Sequence, residues 1–165
     1  MKKLLMILPM VFLLCFTFGC QKAEEVAEEP AVDVEAEKAN VIAVLNRAVL
    51  AVNAIDAESY LENYCKDNDI VLFGDTSRIV GFDAWRETIQ KGFEQYDSAE
   101  VSLRDVVIKI SPSGDVSWLT CYLDLKSVVQ GEKRNEKGTS ATYVLEKRNG
   151  KWLIVHAHWS TPKAE

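Results

Sequence analysis

The sequence has few of the residues on which catalytic and metal sites are usually built. It contains only two histidines, His156 and His158, and four cysteines in 165 residues. No paired-cysteine motif, glycine-rich phosphate loop or Ser/His/Asp pattern occurs, and a zinc site would need one or two further ligands from carboxylates or thiolates. The sequence therefore predicts no metal and no cofactor.

Clusters of basic residues are also missing. Lysine and arginine total 19 against 25 aspartates and glutamates, which gives a formal net charge of −6. A nucleic-acid-binding face needs concentrated positive charge to displace phosphate counterions. We therefore expect no nucleic-acid partner.

One long apolar run is present, and it opens the chain. Lys2 and Lys3 precede an apolar stretch over residues 4–18. This order is typical of a secretory signal, and the run is at the short end of the about 20 residues that span a bilayer. We expect an exported protein.

Residues 17–20, Thr-Phe-Gly-Cys, end this run and resemble the lipobox of bacterial lipoproteins. The resemblance implies that residues 1–19 are a lipoprotein signal peptide and that the thiol of Cys20 carries the lipid. A palmitate-bearing anchor would hold the protein at the cell membrane or the outer membrane. The alternative is a plain signal peptide that happens to end in cysteine.

An acidic segment over residues 20–39 follows the signal. It holds seven acids against two lysines and has no aromatic residue. Such a composition buries too little apolar surface to offset the entropy of ordering it. We interpret the segment as a solvated tether; the alternative is an additional first helix, which the alanines and glutamates favour and Pro30 opposes.

Residues 40–165 have the length of one domain. Apolar residues recur at helical spacing up to about residue 64, with a break near residues 54–56 where Asp56 is a candidate N-cap. A short strand and a third helix capped by Asp83 follow. Four alternating strands are predicted over residues 101–111, 116–129, 139–147 and 152–160, with a loop over residues 130–138 and a tight turn at residues 148–150. Helices gathered on an antiparallel sheet make an α+β fold. Cys65 and Cys121 are equally consistent with a disulfide and with two buried thiols.

Three stretches in this region resemble the NTF2-like superfamily. They are residues 56–60, residues 81–86 and residues 150–160, Gly-Lys-Trp-Leu-Ile-Val-His-Ala-His-Trp-Ser. The nearest groups are the SnoaL-like domains and the association domain of calcium/calmodulin-dependent kinase II. The resemblance implies a cone of curved antiparallel sheet wrapped around about three helices, a pocket in its mouth and a homodimer formed through the outer sheet face.

The last strand determines which residues enter that pocket. Simple alternation places Trp152, Ile154, His156, His158 and Ser160 on one face. The resemblance implies that Trp159 points into the pocket and that the histidines point outward. Carried over residue by residue, it gives this set of ligand-pocket positions: Tyr60, Trp85, Leu123, Tyr143 and Trp159. Their aromatic and apolar character suits an apolar small molecule or a protein partner, and the alternative is that they only fill the core.

Catalysis remains a second hypothesis. The carboxylates and tyrosine of steroid isomerases with this fold are missing at the matching positions. A cyclase or isomerase mechanism would need His156 or His158 with Asp124 or Asp75, and all of them would have to face the pocket. The sequence favours a membrane-tethered, non-catalytic binding domain.

Overall fold

The computed structural model describes residues 32–163, which form three helices and six strands. The helices are α1 (Val34–Asn53), α2 (Ala57–Leu61) and α3 (Phe82–Phe93). The strands are β1 (Val71–Phe73), β2 (Arg78–Val80), β3 (Tyr96–Ile110), β4 (Val116–Val129), β5 (Glu132–Arg148) and β6 (Lys151–Ser160). The α+β fold predicted from the sequence is confirmed.

All six strands form one sheet in the order β2-β1-β6-β5-β4-β3. Neighbouring strands are antiparallel except β1 and β6, which run parallel. The four long strands follow one another along the chain as a meander, as their alternating pattern predicts. The short β1 joins the sheet beside β6, so the first and last strands of the domain are neighbours.

Helix α1 packs one apolar stripe against the sheet. Its buried residues recur every three or four positions, and these are Val41, Val44, Leu45, Ala48 and Ala51. Full burial of a large aliphatic side chain contributes about 1.5–3 kcal/mol. Burial of this stripe therefore contributes a large part of the free energy that holds α1 against the concave side of the sheet.

The break between the first two helices lies where the sequence predicts it. Ile55 has a positive φ of 53°, which ends α1. Asp56 is the N-cap of α2: its carboxylate accepts a hydrogen bond from the Ser59 amide at 3.0 Å and from the Ser59 hydroxyl at 2.7 Å. These bonds lower the pKa of Asp56 below its ordinary value.

The tether predicted over residues 20–39 is wrong at its C-terminal end, because α1 begins at Val34 with Asp33 as its N-cap. The side chain of the acidic residue Glu37 is only 15% exposed. Its carboxylate accepts hydrogen bonds from the Lys147 ammonium at 2.5 Å and from the Trp152 indole at 2.7 Å. Residues 20–31 lie outside the described part of the chain, as do the predicted signal peptide and Cys20.

The third helix begins earlier than the sequence predicts. Its N-cap is Gly81, whose φ of 87° suits a residue without a side chain, and no side chain caps this end. Asp83 instead lies in the first turn and forms an ion pair with Arg86. The prediction of Asp83 as the cap is therefore wrong.

Two strands are longer than their alternating pattern indicates. β3 starts at Tyr96 and β5 at Glu132, because a two-residue turn at Gln130 and Gly131 replaces the predicted loop between β4 and β5. Both turn residues have positive φ, 51° and 83°. Asn149 and Gly150 make a similar turn between β5 and β6, as predicted, with φ of 52° and 77°.

Cys65 and Cys121 are both buried and both free. Burial raises the pKa of the Cys121 thiol to about 11. The pKa of Cys65 is also raised, first by burial and then by its hydrogen bond with Asp67. The structure thus selects two buried thiols over the disulfide.

Within residues 32–163, no helix has both the length and the apolar character required to cross a membrane.

Candidate functional site

A small cavity of about 90 Å³ lies between the first two helices and the concave face of the sheet. Four of the five residues predicted to line a pocket surround it: Tyr60, Leu123, Tyr143 and Trp159. Every lining residue is uncharged, and aliphatic side chains of α1 and β3 complete the wall. The cavity is well below the roughly 300 Å³ at which pockets for drug-sized ligands begin.

Trp85, the fifth predicted residue, lies behind this wall. It is buried, and its ring stacks on that of Trp159 with centroids 5.8 Å apart and planes tilted by 18°. It also contacts the rings of Tyr60 and Tyr64 at centroid distances of 6.3 and 5.5 Å. Trp85 is therefore a core residue that supports the cavity wall.

Tyr64 is a lining residue that sequence reasoning missed. Its hydroxyl is 2.7 Å from that of Tyr60, one helical turn earlier. A spacing of four residues brings two side chains together on a helix, so the pair Tyr60 and Tyr64 was the available signal. Tyr64 lies beyond the end of α2, in a segment joined to β6 at Ile154.

Two separate hydrogen bonds connect aromatic side chains at this cavity: one between Tyr60 and Tyr64, and one between Trp159 and Tyr143. The Trp159 indole donates to the Tyr143 hydroxyl at 2.9 Å. Burial raises the pKa of Tyr60 to about 12 and places those of Tyr64 and Tyr143 well above the ordinary value. These hydroxyls stay protonated at neutral pH, which suits them as hydrogen-bond donors and excludes them as general bases.

The two histidines lie on the opposite face of the sheet. His156 is half-buried and its Nδ1 is 2.7 Å from the Val71 carbonyl oxygen, so this nitrogen donates. His158 is exposed, and both imidazoles contact Phe73 at ring-centroid distances of 6.1 and 6.0 Å. Neither histidine lines the cavity.

The face assignment by simple alternation is wrong in β6. Leu145 pairs with Ile154 and Val144 with His156, so Val155 is an extra residue that forms a bulge. The bulge moves the following side chains to the other face. Buried Ile154 and Ala157 are consequently on the concave face although an odd number of positions separates them.

Asp124 is also outside the cavity. Its carboxylate accepts hydrogen bonds from Arg104 at 2.8 and 3.3 Å and from the Gly138 amide at 2.8 Å. The Arg104 guanidinium, and then the Gly138 amide, hold the pKa of Asp124 below its ordinary value. The carboxylate is therefore fixed in an ion pair and is not poised as an acid at neutral pH.

Asp75 is an exposed loop residue. Its carboxylate accepts a hydrogen bond from the Thr161 amide at 2.6 Å and thereby fastens the segment that follows β6. The four residues of the catalytic hypothesis are thus distributed over the outer face and a loop. The requirement that they meet in the pocket is not fulfilled.

The outer face of the sheet carries most of the exposed apolar surface. Of the seven large hydrophobic residues exposed within residues 32–163, five lie on this face, and they are Phe73, Val80, Val107, Trp118 and Tyr122. Trp118 is 47% exposed and Tyr122 is 44% exposed. An outer face normally carries polar residues.

The strand register arranges these residues in rows that cross the sheet. One row runs through Val80, Val71, His156, Val144, Trp118 and Lys109, and the next runs through Arg78, Phe73, His158, Thr142, Thr120 and Val107. Each row has a formal charge only at one end. We call the two rows together with Tyr122 the outer patch.

A larger surface groove of about 770 Å³ runs between α1 and the β5–β6 turn. Basic Arg47 and Lys151 and acidic Asp56 and Glu62 all line it. Asp56 already caps α2, and charges of both signs are interspersed. We therefore assign no site to the groove. Within residues 32–163, no group of three or more His, Cys, Asp or Glu residues is placed to hold a metal ion.

Comparison with known proteins identifies the family. The family model of the SnoaL-like domain matches residues 41–164. The chain therefore belongs to the SnoaL-like domain family, within the NTF2-like fold that the sequence predicts. A search of the curated proteins gave no match.

Solved structures share the fold at low sequence identity. An NTF2-like superfamily protein from Salmonella enterica has a TM-score of 0.72 at 15% identity, covering 79% of this chain and 94% of its own. A candidate dehydratase of the NTF2-like family from Streptomyces avermitilis has a TM-score of 0.70 at 15% identity, with 79% and 99% covered. A protein of unknown function from Mycobacterium tuberculosis has 0.68 at 18% identity, with 79% and 74% covered. These similarities establish the fold alone.

Proposed function

We propose that this protein is a non-catalytic interaction domain, tethered to a bacterial membrane through lipidated Cys20, whose outer patch binds a second copy of the chain. The observation that carries the proposal is the concentration of exposed Trp118, Tyr122, Phe73 and Val107 on one face of the sheet. Exposed apolar patches of this kind mark protein interaction surfaces. Aromatic residues are enriched at such interfaces.

The charge pattern favours a second copy as the occupant. In a two-fold dimer the same patch meets itself, so charges of one sign at the centre of the patch would repel their copies. The two rows have formal charges only at Lys109 and Arg78, which lie at opposite edges of the sheet. Their middle consists of apolar, hydroxyl and imidazole side chains, which are compatible with an identical surface.

The size of the face is also sufficient. Four long strands spaced about 4.8 Å apart, each about 33 Å long over ten residues, present roughly 600 Å². The two short strands add to this area at one edge. Stable, specific interfaces bury about 600–1,000 Å² on each partner, so the face reaches the lower end of this range.

The positions of the titratable groups support a non-catalytic role. The cavity lining carries no charged side chain, and the tyrosines there have pKa values raised by burial. His156 and His158 belong to the outer patch, and Asp124 is paired with Arg104. General acid-base chemistry needs such groups beside one bound substrate.

The oligomeric state tests the proposal. We expect sedimentation equilibrium of the purified protein to show a dimer. Trp118→Glu should weaken the dimer by about 30-fold or more, because truncating or charging a central aromatic residue costs about 2 kcal/mol or more. The matched control is Leu50→Glu, which charges a 67% exposed apolar residue on α1 and should leave the dimer intact. A monomeric wild type, or equal effects of the two variants, would contradict the proposal.

The membrane anchor is tested separately. Labelling with palmitate in the producing bacterium should mark the wild type and fail on Cys20→Ala. The wild type should fractionate with membranes. An unlabelled, soluble wild-type product would contradict the lipid anchor. It would not bear on the proposed dimer.

A further inference from the structure

Both histidines of the chain lie side by side in the outer patch. His156 is the third of six residues in one row, and His158 is the third of six in the next. Both imidazoles contact the Phe73 ring of β1, at centroid distances of 6.1 and 6.0 Å. The sequence contains no other histidine. Every imidazole of the protein is therefore near the middle of the surface to which we assign the dimer contact.

Neither imidazole needs to change its contacts within the monomer in order to take up a proton. His158 is exposed. His156 donates from Nδ1 to the Val71 carbonyl oxygen at 2.7 Å, and this nitrogen carries a hydrogen in the neutral as well as in the charged ring. The additional proton is bound at Nε2. Protonation therefore charges the outer patch and leaves this internal hydrogen bond in place.

The charges within the two rows are all positive. Arg78 of β2 lies at the end of one row and Lys109 of β3 at the end of the other. Neither row, each of them within residues 32–163, contains an aspartate or a glutamate. Charged imidazoles would add to this positive surface. In a two-fold dimer they would do so from both sides of the contact.

Three acids lie beside the rows on the strands around the histidines. Glu146 of β5 pairs with Arg148. Asp124 of β4 pairs with Arg104. Asp75, which follows β1, accepts a hydrogen bond from the backbone of the segment after β6. Asp75 is therefore the one acid of the three without a cationic partner, against two imidazoles in each chain.

We propose that the two histidines make the dimer sensitive to pH, so that the outer patches associate at neutral pH and separate in mild acid. This inference rests on the proposed dimer. Histidine is the side chain whose charge changes between about pH 5 and 8. Burial at an interface disfavours the charged form of a group. Because the monomer then binds more protons than the dimer, the dimer weakens as the pH falls.

Sedimentation equilibrium of the purified full chain at about pH 7.5 and about pH 5.5 tests this sensitivity. We expect the dissociation constant of the dimer to rise by about tenfold or more at the lower pH. The reason is that excluding one proton from the dimer changes its dissociation constant by up to about tenfold for each pH unit. Far-UV circular dichroism should show the same folded chain at both pH values.

Matched variants identify the groups that carry the effect. The double variant His156→Gln, His158→Gln is neutral at both pH values, and its dissociation constant should change by less than about threefold. His158→Gln alone changes an exposed position and should show about half of the wild-type effect on a logarithmic scale, which provides a second test if the double variant does not fold. The control is Asp124→Asn, which removes an acid beside the patch and should retain the full pH dependence.

The possible results separate this inference from the proposed function. A monomeric wild type at about pH 7.5 would contradict the proposed dimer and, with it, the inference. A wild-type dimer that is equally strong at both pH values would overturn the inference alone. The inference is also overturned if the wild type unfolds at the lower pH, or if the histidine variants weaken in acid as much as the wild type.

Discussion

The concave and outer sides of the sheet have the same residue types, tryptophan and tyrosine, in opposite environments. On the concave side, Trp85 of α3 and Tyr143 of β5 are 6% and 7% exposed and belong to the hydrophobic core. On the outer face, Trp118 and Tyr122 are 47% and 44% exposed and contact no second layer of this chain. The difference teaches that aromatic content alone does not indicate a ligand pocket, because two of these four aromatic residues are exposed on the outer face.

The largest effect is expected from a tryptophan truncation compared across the two faces. Trp85→Ala should lower the free energy of unfolding by about 3–5 kcal/mol, because it removes a large buried ring that three other aromatic rings contact. Trp118→Ala should change the stability of the monomer by no more than about 0.5 kcal/mol. Urea denaturation at a concentration where both variants are monomeric measures the two values.

Equal losses in these two variants would contradict the division into core and surface. A small loss for Trp85→Ala alone would mean that the wall of the cavity is not part of the core. A large loss for Trp118→Ala would also weaken the assignment of Trp118 to an interface, since its exposure is the basis for that assignment.

An intermediate effect is expected at Glu37, which joins α1 to the far end of the sheet. Glu37→Gln should cost about 1.5–3 kcal/mol, because it weakens hydrogen bonds to the Lys147 ammonium and the Trp152 indole. Glu35→Gln is the matched control in the same turn, since Glu35 is exposed and pairs only with Lys38. It should cost less than about 0.5 kcal/mol. Similar losses of stability in both variants would contradict the assignment of residues 34–39 to the folded domain.

The pH dependence of the Glu37 contribution has a defined sign. The hydrogen bond with Lys147, followed by that with Trp152, lowers the pKa of Glu37 in the folded state below its ordinary 4.5. A carboxyl group with a lowered folded pKa stabilises the protein above its unfolded pKa, and this contribution disappears as the pH falls through the folded value. The stability difference between wild type and Glu37→Gln should therefore be constant near neutral pH and shrink in acid. If the stability difference between wild type and Glu37→Gln grows on acidification, the role assigned to Glu37 is contradicted.

The smallest effect is expected at Asp124 on the outer face. Asp124→Asn weakens an ion pair with Arg104 whose partners are 25% and 48% exposed, so the loss should stay below about 1 kcal/mol. Salt screens exposed pairs, and the loss should shrink further in 1 M salt, where the Debye length is about 3 Å. Thermal unfolding at low and high salt measures both values. A loss of several kcal/mol would place Asp124 in a buried network.

Much of the fold could be predicted because local sequence signals agree with the tertiary structure. The Asp56 cap, the Asn149 and Gly150 turn and the alternation of β4 are all local, and the structure contains each of them. The start of α1 was missed because the reason for it is not local. The local sequence around Glu37 indicates a solvated acid, because its partners Lys147 and Trp152 lie more than a hundred residues later in the chain.

The candidate site was less predictable for a related reason. A single extra residue at Val155 reverses the alternation of β6, and no turn residue or glycine marks this bulge. Alternation counted from Trp152 therefore puts the histidines on the concave face, whereas the family resemblance puts them outside. The size of the cavity also depends on how tightly Trp85 and Trp159 stack, which the order of residues does not determine.

The most direct test of the two-face account is hydroxyl-radical footprinting of the full-length protein as a function of protein concentration. Mass spectrometry then reports oxidation at each aromatic residue. We predict that Trp118 and Tyr122 are oxidised at low concentration and become protected together as the dimer forms, while Trp85 and Tyr143 are protected throughout. Oxidation of Trp118 that stays the same at every concentration, or of Trp85 at the level of Trp118, would contradict the central claim.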